Sequence, residues 1–400
     1  MKTMTQLQAE LRAAAEHIEN LSRELAQLQP SEQKKTLDFA HIQTIGKRYP
    51  IRDHCLVRMD ADFQRQYLTL LTAPLLLESR EPENGWLFLQ RILCGVGCAI
   101  PLTDLQADAA SLTEQQLDTF SAAVLERGLV DALMLDGMLL FLACQGGETM
   151  RDWLAALATL LACTLSQVQE LADLAALIAG EDETGLRAFA KRTTVRRLRT
   201  MNGYILPILK WYAQVEDGVC YYYGDGETPL DVDGYVMKLL NKQRAKGRAL
   251  LRVEIRNAVM AEKAVYLNMG DCQLLMEDCT VRDISCDKTC FKCNLDESLV
   301  FRHCRFERLS SYFDEAIEIE SNLPFILENV HFHDIINVPF MPNVICFSQC
   351  QMRTVTMENI YGGMDWYGGK GGTATPDCYY KNCKGRTSGL PDGLKEKKEA

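Results

Sequence analysis

The chain has 400 residues, of which 47% are hydrophobic and 24% charged, and its formal net charge is -11. That length supplies core for two or three domains. The acidic balance speaks against generic nucleic-acid binding, which needs concentrated Lys and Arg, and sixteen cysteines fall well below the density of a disulfide scaffold.

In chain order, Leu7, Leu11, Ala14, Ile18, Leu21, Leu25 and Leu28 alternate spacings of four and three, the a/d seam of about three heptads, and Pro30 closes the run. The spacing predicts a coiled-coil helix over 1–30 that self-associates; the same seam would also serve a helix folded back on its own chain. The start carries no apolar signal core, and no run is long enough to cross a bilayer, so no membrane span and a cytoplasmic location are expected.

Residues 36–215 read as a helical bundle, with helices expected at 61–77, 86–98, 114–127, 129–144, 149–162 and 165–179 and breaks at Pro74, Pro82, Pro101 and Gly146-Gly147. Ser166 with Gln169 fits a capping box at the start of the last of these. Arg187, Lys191, Arg192, Arg196, Arg197 and Arg199 concentrate positive charge late in the region, which suits a solvated helix face or a contact for an acidic partner. The stretch from Asp131-Ala-Leu-Met-Leu-Asp136-Gly137 through Glu148 to Leu165–Glu170 resembles TerB-like helical domains over about 60 residues. That resemblance implies a metal held by Asp131, Asp136 and Glu148, whereas a turn between helices is the plainer reading of Asp136-Gly137.

Residues 216–260 form a connector: Cys220-Tyr-Tyr-Tyr223 reads as a strand, Leu250–Ile255 as another, and 231–248 as an amphipathic helix capping the first rung of a repeating segment. In that segment, from 261 to 385, a short pattern recurs, an apolar residue with others three, five and eight positions later: Met276/Cys279/Val281/Ile284, Phe301/Cys304/Phe306/Leu309, Leu327/Val330/Phe332/Ile335 and Phe347/Cys350/Met352/Val355. Recurrence of a strand–bend–strand unit predicts a solenoid. It resembles the rungs of a right-handed parallel β-helix of the pectate-lyase-like kind. Outward positions Glu277, Arg302, Glu328, Ser348 and Asp283, Arg308, Asp334, Thr354 place opposite charges on neighbouring rungs, which opposes a slip in register. The fold class is therefore multidomain α and β, with a coiled coil, a helical bundle and a short solenoid, and 386–400 as a disordered tail.

Three motifs bear on chemistry. Cys286, Cys290 and Cys293 have the CxxxCxxC spacing of radical S-adenosylmethionine enzymes, but they lie late in the chain; the remaining readings are a structural zinc completed by Cys272 or His303, or a loop with partly buried thiols. The glycine loop 362–373 lacks the Gly and the Ser or Thr of a phosphate loop; Trp366 and Tyr367 are expected to fold over the open end of the solenoid. Of the six histidines, His331 and His333 share a strand face near Arg305 and Asp334, and these four are the catalytic set if the protein is an enzyme. No cofactor is implied. The sequence reads as a non-enzymatic scaffold or sensor that binds a protein partner or a glycan and self-associates through the N-terminal helix; the alternative is a carbohydrate-processing lyase or hydrolase.

Overall fold

The computed structural model describes residues 38–77, 81–247, 252–337, 343–367 and 371–397. The heptad seam from Leu7 to Leu28 lies outside the described residues. The chain divides into a helical unit ending at Leu209 and a β-rich unit beginning at Lys210.

In the helical unit the expected helices appear at Ala61–Thr72, Pro82–Val96, Glu114–Arg127, Val130–Ala143, Glu148–Leu160 and Leu165–Ala179. The first stops short of 77 because Pro74 carries no amide hydrogen, and Ala73–Leu76 tightens into a 3-10 turn. Among the described residues five more helices join them: Phe39–Arg48, Leu102–Ala110, Glu183–Arg192, Val195–Arg199 and Asn202–Leu209. The expected box at Ser166 is displaced by two residues. Thr164 is the extended residue, its hydroxyl accepting from the Gln167 amide while Gln167 answers the Thr164 amide. Helix Val130–Ala143 is apolar on every side, and all of Ala132–Leu142 is buried, which places it at the centre of the bundle. Asp136-Gly137, expected as a turn, lies in mid-helix; a Cβ on Gly137 would stand 2.7 Å from Leu154 Cδ2, so glycine lets the Glu148–Leu160 helix approach.

The second unit opens with an antiparallel hairpin, β1 (Trp211–Glu216) and β2 (Val219–Gly224). Its turn, Asp217-Gly218, has both φ angles positive (49° and 77°), as a two-residue hairpin turn of the primed type requires. The helical reading of the chain up to 215 overlooked that signal. Strands then follow in threes: β3 (Arg252–Arg256), β4 (Val259–Ala261), β5 (Val265–Gly270); β6 (Gln273–Glu277), β7 (Thr280–Cys286), β8 (Phe291–Leu295); β9 (Leu299–Arg302), β10 (Arg305–Ser311), β11 (Ile317–Ser321); β12 (Phe325–Glu328), β13 (His331–Asn337), β14 (Asn343–Phe347); β15 (Cys350–Arg353), β16 (Thr356–Tyr361), β17 (Gly363–Trp366). Shorter strands close the series: β18 (Gly372–Ala374), β19 (Tyr379–Lys381), β20 (Thr387–Ser388) and β21 (Lys395–Glu396). From β3 to β20 every third strand pairs in parallel, while the hairpin joins through β2 on β3 and β21 joins β19, giving three sheets, β1-β2-β3-β6-β9-β12-β15-β18, β4-β7-β10-β13-β16-β19-β21 and β5-β8-β11-β14-β17-β20. The result is a parallel β-solenoid of about five turns with a short final one.

Inward side chains stack in columns. Ile255, Met276, Phe301, Leu327 and Met352 form one, and Met260, Val281, Phe306, Phe332 and Met357 another. The fourth expected unit is therefore out of phase by five residues. Phe347 pairs with Ile319 and Trp366 in the third sheet, and the true unit is Met352/Val355/Met357/Ile360. At the corner before the second sheet the small residue is Ala258, Cys279, Cys304, Val330 or Val355, all buried, and each is preceded by a polar residue in left-handed conformation: Asn257, Asp278, His303, Asn329 or Thr354 (φ 50–56°). Asn and Asp tolerate that region through local hydrogen bonds. Thr354 is the costly member, and its hydroxyl donates to Asp377 at 2.6 Å. The corner thiols of Cys279 and Cys304 donate to Ile255 O and Met276 O of the preceding rung at 3.3 and 3.4 Å.

At the first rung, Val232, Val236 and Leu240 from the π-helical turn Val232–Met237 and helix Lys238–Ala245 join the solenoid core, covering apolar surface and backbone that would otherwise face water. At the other end Trp366 does not lie over the surface as expected. It is an interior residue of β17, fully buried against Phe347. Nor is the chain after 385 without structure as far as 397: Leu394 is buried and β21 pairs with β19.

Candidate functional site

Arg305, His331 and His333 lie on the outward side of the second sheet, with Asp334 at the bend next to them. Arg305 lies opposite His331 across β10 and β13, with Glu307 opposite His333. The two histidines are tied separately. His331 Nδ1 meets Thr356 Oγ1 at 2.7 Å, and burial, then Arg305, holds its pKa below the usual histidine range. His333 Nε2 meets the Asn359 amide nitrogen at 3.2 Å and His333 Nδ1 lies 3.1 Å from Asp334 Oδ2; Asn359 also donates to Asp334 Oδ1 at 2.9 Å. These side chains form a network of interlocked polar groups.

The first sheet carries a longer version of the same device. Arg256, Glu277, Arg302, Glu328 and Arg353 succeed one another in register, with Arg256 paired to Glu277 and Arg302 reaching Glu277 at 3.4 Å and Glu328 at 2.7 Å. Arg353, not the expected Ser348, completes the alternation. At the second corner Arg308 clamps Asp283 through two contacts, 2.5 and 3.1 Å, and Asn359 takes the place expected for Thr354. Opposed charges one rung apart stabilise register by about 0.2–1 kcal/mol per pair.

A different constellation gathers at the turn between β10 and β11, which the sequence reading did not single out. Asp314 and Glu315 share a hydrogen bond: burial first, and then Asp314, pushes Glu315 up to about 7, while that bond holds Asp314 below the usual carboxylate range. The two carboxyls thus titrate as a pair, with Glu315 taking up its proton before Asp314 as pH falls. Cys346 Sγ on β14 approaches Glu315 Oε1 at 3.6 Å. On the adjoining strand Glu318 accepts from Lys292 Nζ at 2.6 Å and Tyr367 OH at 3.3 Å. Around the carboxyl pair large side chains face solvent: Tyr312 is 42% exposed, Phe313 67%, Ile336 39% and Tyr367 40%. The run Tyr312-Phe-Asp-Glu315, two aromatics and two acids after a strand, was the available sequence signal.

The expected metal ligands do not converge. Asp136 is fully buried and accepts from His54 Nε2 at 3.0 Å, Tyr67 OH at 2.7 Å and Tyr204 OH at 2.7 Å. These are the partners that make a buried carboxylate tolerable. Burial opposes the His54 imidazolium, but Cys55 and Asp136 outweigh it and raise the group to about 10. Burial, then Asp136, lifts both tyrosines. Asp131 instead pairs with Arg197 at 2.7 Å and accepts from Gln167, and Glu148 is exposed at a helix start. Of the cysteines, Cys286 and Cys290 stand with sulfurs 3.5 Å apart, but Cys293 points into the core between Leu267 and Ile319. Cys272 lies beside Arg244 and His303 beside Asp278. Among the described residues no group of three or more His, Cys, Asp or Glu is set to hold a metal ion. Of the basic stretch, Arg197 is paired with Asp131 and Glu170 and Arg187 with Glu183, while Lys191, Arg192, Arg196 and Arg199 face solvent.

Compared with family models, curated proteins and solved structures, the chain matches none.

Proposed function

We propose that the protein is a non-enzymatic cytoplasmic recognition scaffold whose solenoid holds one contact surface rigid, the turn that carries Tyr312, Phe313 and Glu315. The observation that carries this reading is the exposure of Tyr312, Phe313, Ile336 and Tyr367 around that turn, between walls whose charges are paired rung to rung. Aromatic anchors on an ordered backbone lose little entropy on binding, which is how a small patch gains affinity. All sixteen cysteines are free thiols, as suits a reducing compartment. Right-handed winding follows from the general handedness of parallel crossovers, and self-association through Leu7 to Leu28 would multiply the contact surface. The test compares immobilised wild type with a Tyr312→Ser/Phe313→Ser double variant whose circular dichroism is unchanged. A partner retained by the first and lost from the second supports the reading; identical capture by both refutes it.

A second reading, a carbohydrate-processing enzyme, is favoured by the Asp314–Glu315 pair, because a carboxyl at about 7 can deliver a proton at neutral pH. New reducing ends or unsaturated products from a panel of acidic and neutral polysaccharides, abolished by Glu315→Gln, would replace the scaffold reading with this one.

A further inference from the structure

Cys286 and Cys290 bracket the turn that leads from β7 into β8. Their sulfurs stand 3.5 Å apart, and a disulfide needs about 2.05 Å with the Cβ atoms roughly 3.5–4.5 Å apart. Cys286 is half-exposed, so its side chain has solvent space in which to rotate as the gap closes. Cys290 is buried, and burial together with Cys286 raises its thiol well above the usual range. The accessible Cys286 is therefore the attacking group and Cys290 the resolving one. Cys293, the third residue of the motif, faces the interior and takes no part.

We propose that Cys286 and Cys290 are a thiol modification site, closed to an intraloop disulfide by exchange with a small-molecule disulfide of the glutathione class. Cys286 gives its proton to solvent, and its thiolate attacks one sulfur of the small disulfide, breaking that S–S bond and expelling one small thiolate. The mixed disulfide on Cys286 is then attacked by the Cys290 sulfur, whose proton passes to the departing thiolate. The Cys286–Cys290 bond forms and a second small thiol leaves. The protein dithiol is oxidised by two electrons, and the small disulfide is reduced to two thiols.

Closure has a structural consequence one rung away. The reduced thiols donate to Lys288 O at 2.9 Å and to Ser310 O at 3.2 Å, and the disulfide has no hydrogen to give. The next turn rests on this one: the amides of Tyr312 and Phe313 donate to Cys286 O and Asp287 O at 3.1 and 3.2 Å, and the Ser311 hydroxyl donates to Lys288 O at 3.0 Å. Oxidation thus disturbs the backbone that holds Tyr312 and Phe313, whatever that surface binds.

The experiment equilibrates the full chain in glutathione buffers of rising oxidised fraction, blocks remaining thiols by alkylation, and maps tryptic peptides. The expected result is a disulfide joining the peptide Asp283–Lys288 to Thr289–Lys292, with loss of alkylation at both cysteines, reversal by dithiothreitol, and lower amide-exchange protection at Tyr312 and Phe313. Cys290→Ser should stop at a glutathione adduct on Cys286, and Cys286→Ser, at the more exposed position, should give neither product. The proposal is overturned if both thiols stay alkylatable in the most oxidising buffer, if Cys286 pairs with another cysteine, or if wild type stops at the adduct. Unchanged exchange at Tyr312 and Phe313 would overturn the coupling to the neighbouring turn.

Discussion

Replacing Phe306 with Ala tests the column packing that underlies the whole second unit. Phe306 is fully buried and sits in register between Val281 and Phe332. Its ring stacks on Phe332 at 5.0 Å and meets Phe291 and Phe301 edge-on at 5.1 and 5.8 Å. Truncating a buried phenylalanine costs about 3–5 kcal/mol, the transfer of the lost atoms plus the cavity left behind, and each aromatic contact adds about 0.5–1.5 kcal/mol without simple additivity. Collapse offers little relief here, because β10 is held on both sides by parallel ladders. The expected cost is thus toward the upper end, about 4–5 kcal/mol, and about 1–2 kcal/mol for Phe306→Leu, which refills most of the space. Native-state hydrogen exchange reads this locally: opening free energies should fall in β7, β10 and β13, while peptides of the helical unit keep theirs, as expected for an array stabilised by neighbouring rungs. A loss below about 1.5 kcal/mol for the alanine variant, against the range for buried aromatics, would refute the column, as would an equal loss in both units.

Arg302→Glu would place three carboxylates in a row with Glu277 and Glu328, turning two attractions into two repulsions at a cost of roughly 1–3 kcal/mol; urea titration should show that loss shrinking as salt rises, and a loss independent of salt would refute the ladder. Asp136→Ala leaves His54, Tyr67 and Tyr204 without their acceptor and should cost about 3–5 kcal/mol by thermal or chemical unfolding. Because the folded state raises His54 from 6.5 to about 10, the stability it contributes is full below pH 6.5 and is lost as pH rises through about 10. The helical unit should weaken across that window, and His54→Gln should flatten the dependence. For self-association, Ile18→Lys with Leu21→Lys should give a monomer by light scattering with both units folded; an unchanged mass would mean that the heptad helix does not carry assembly.

The helices and the solenoid period were legible because both are one-dimensional patterns. An apolar stripe of period 3.6 or a rung of about 25 residues can be read without knowing what it touches. The spacing of three, five and eight overlaps itself when shifted by five, so Phe347/Cys350/Met352/Val355 and Met352/Val355/Met357/Ile360 both satisfy it. Only the pairing of Met352 with Leu327 selects the second. The charge ladder was readable for three rungs and failed at the fourth for the same reason. What tertiary structure alone decided is which distant groups share a site. Asp136 looks like a surface turn or a ligand until a histidine 82 residues away and tyrosines 69 and 68 residues away close around it. Glu315 is pushed above the usual carboxylate range by burial in the wound chain, with Cys346 brought beside it from 31 residues on. Burial and the dielectric around a group depend on the packing of segments far apart in sequence, and local spacing carries no record of either.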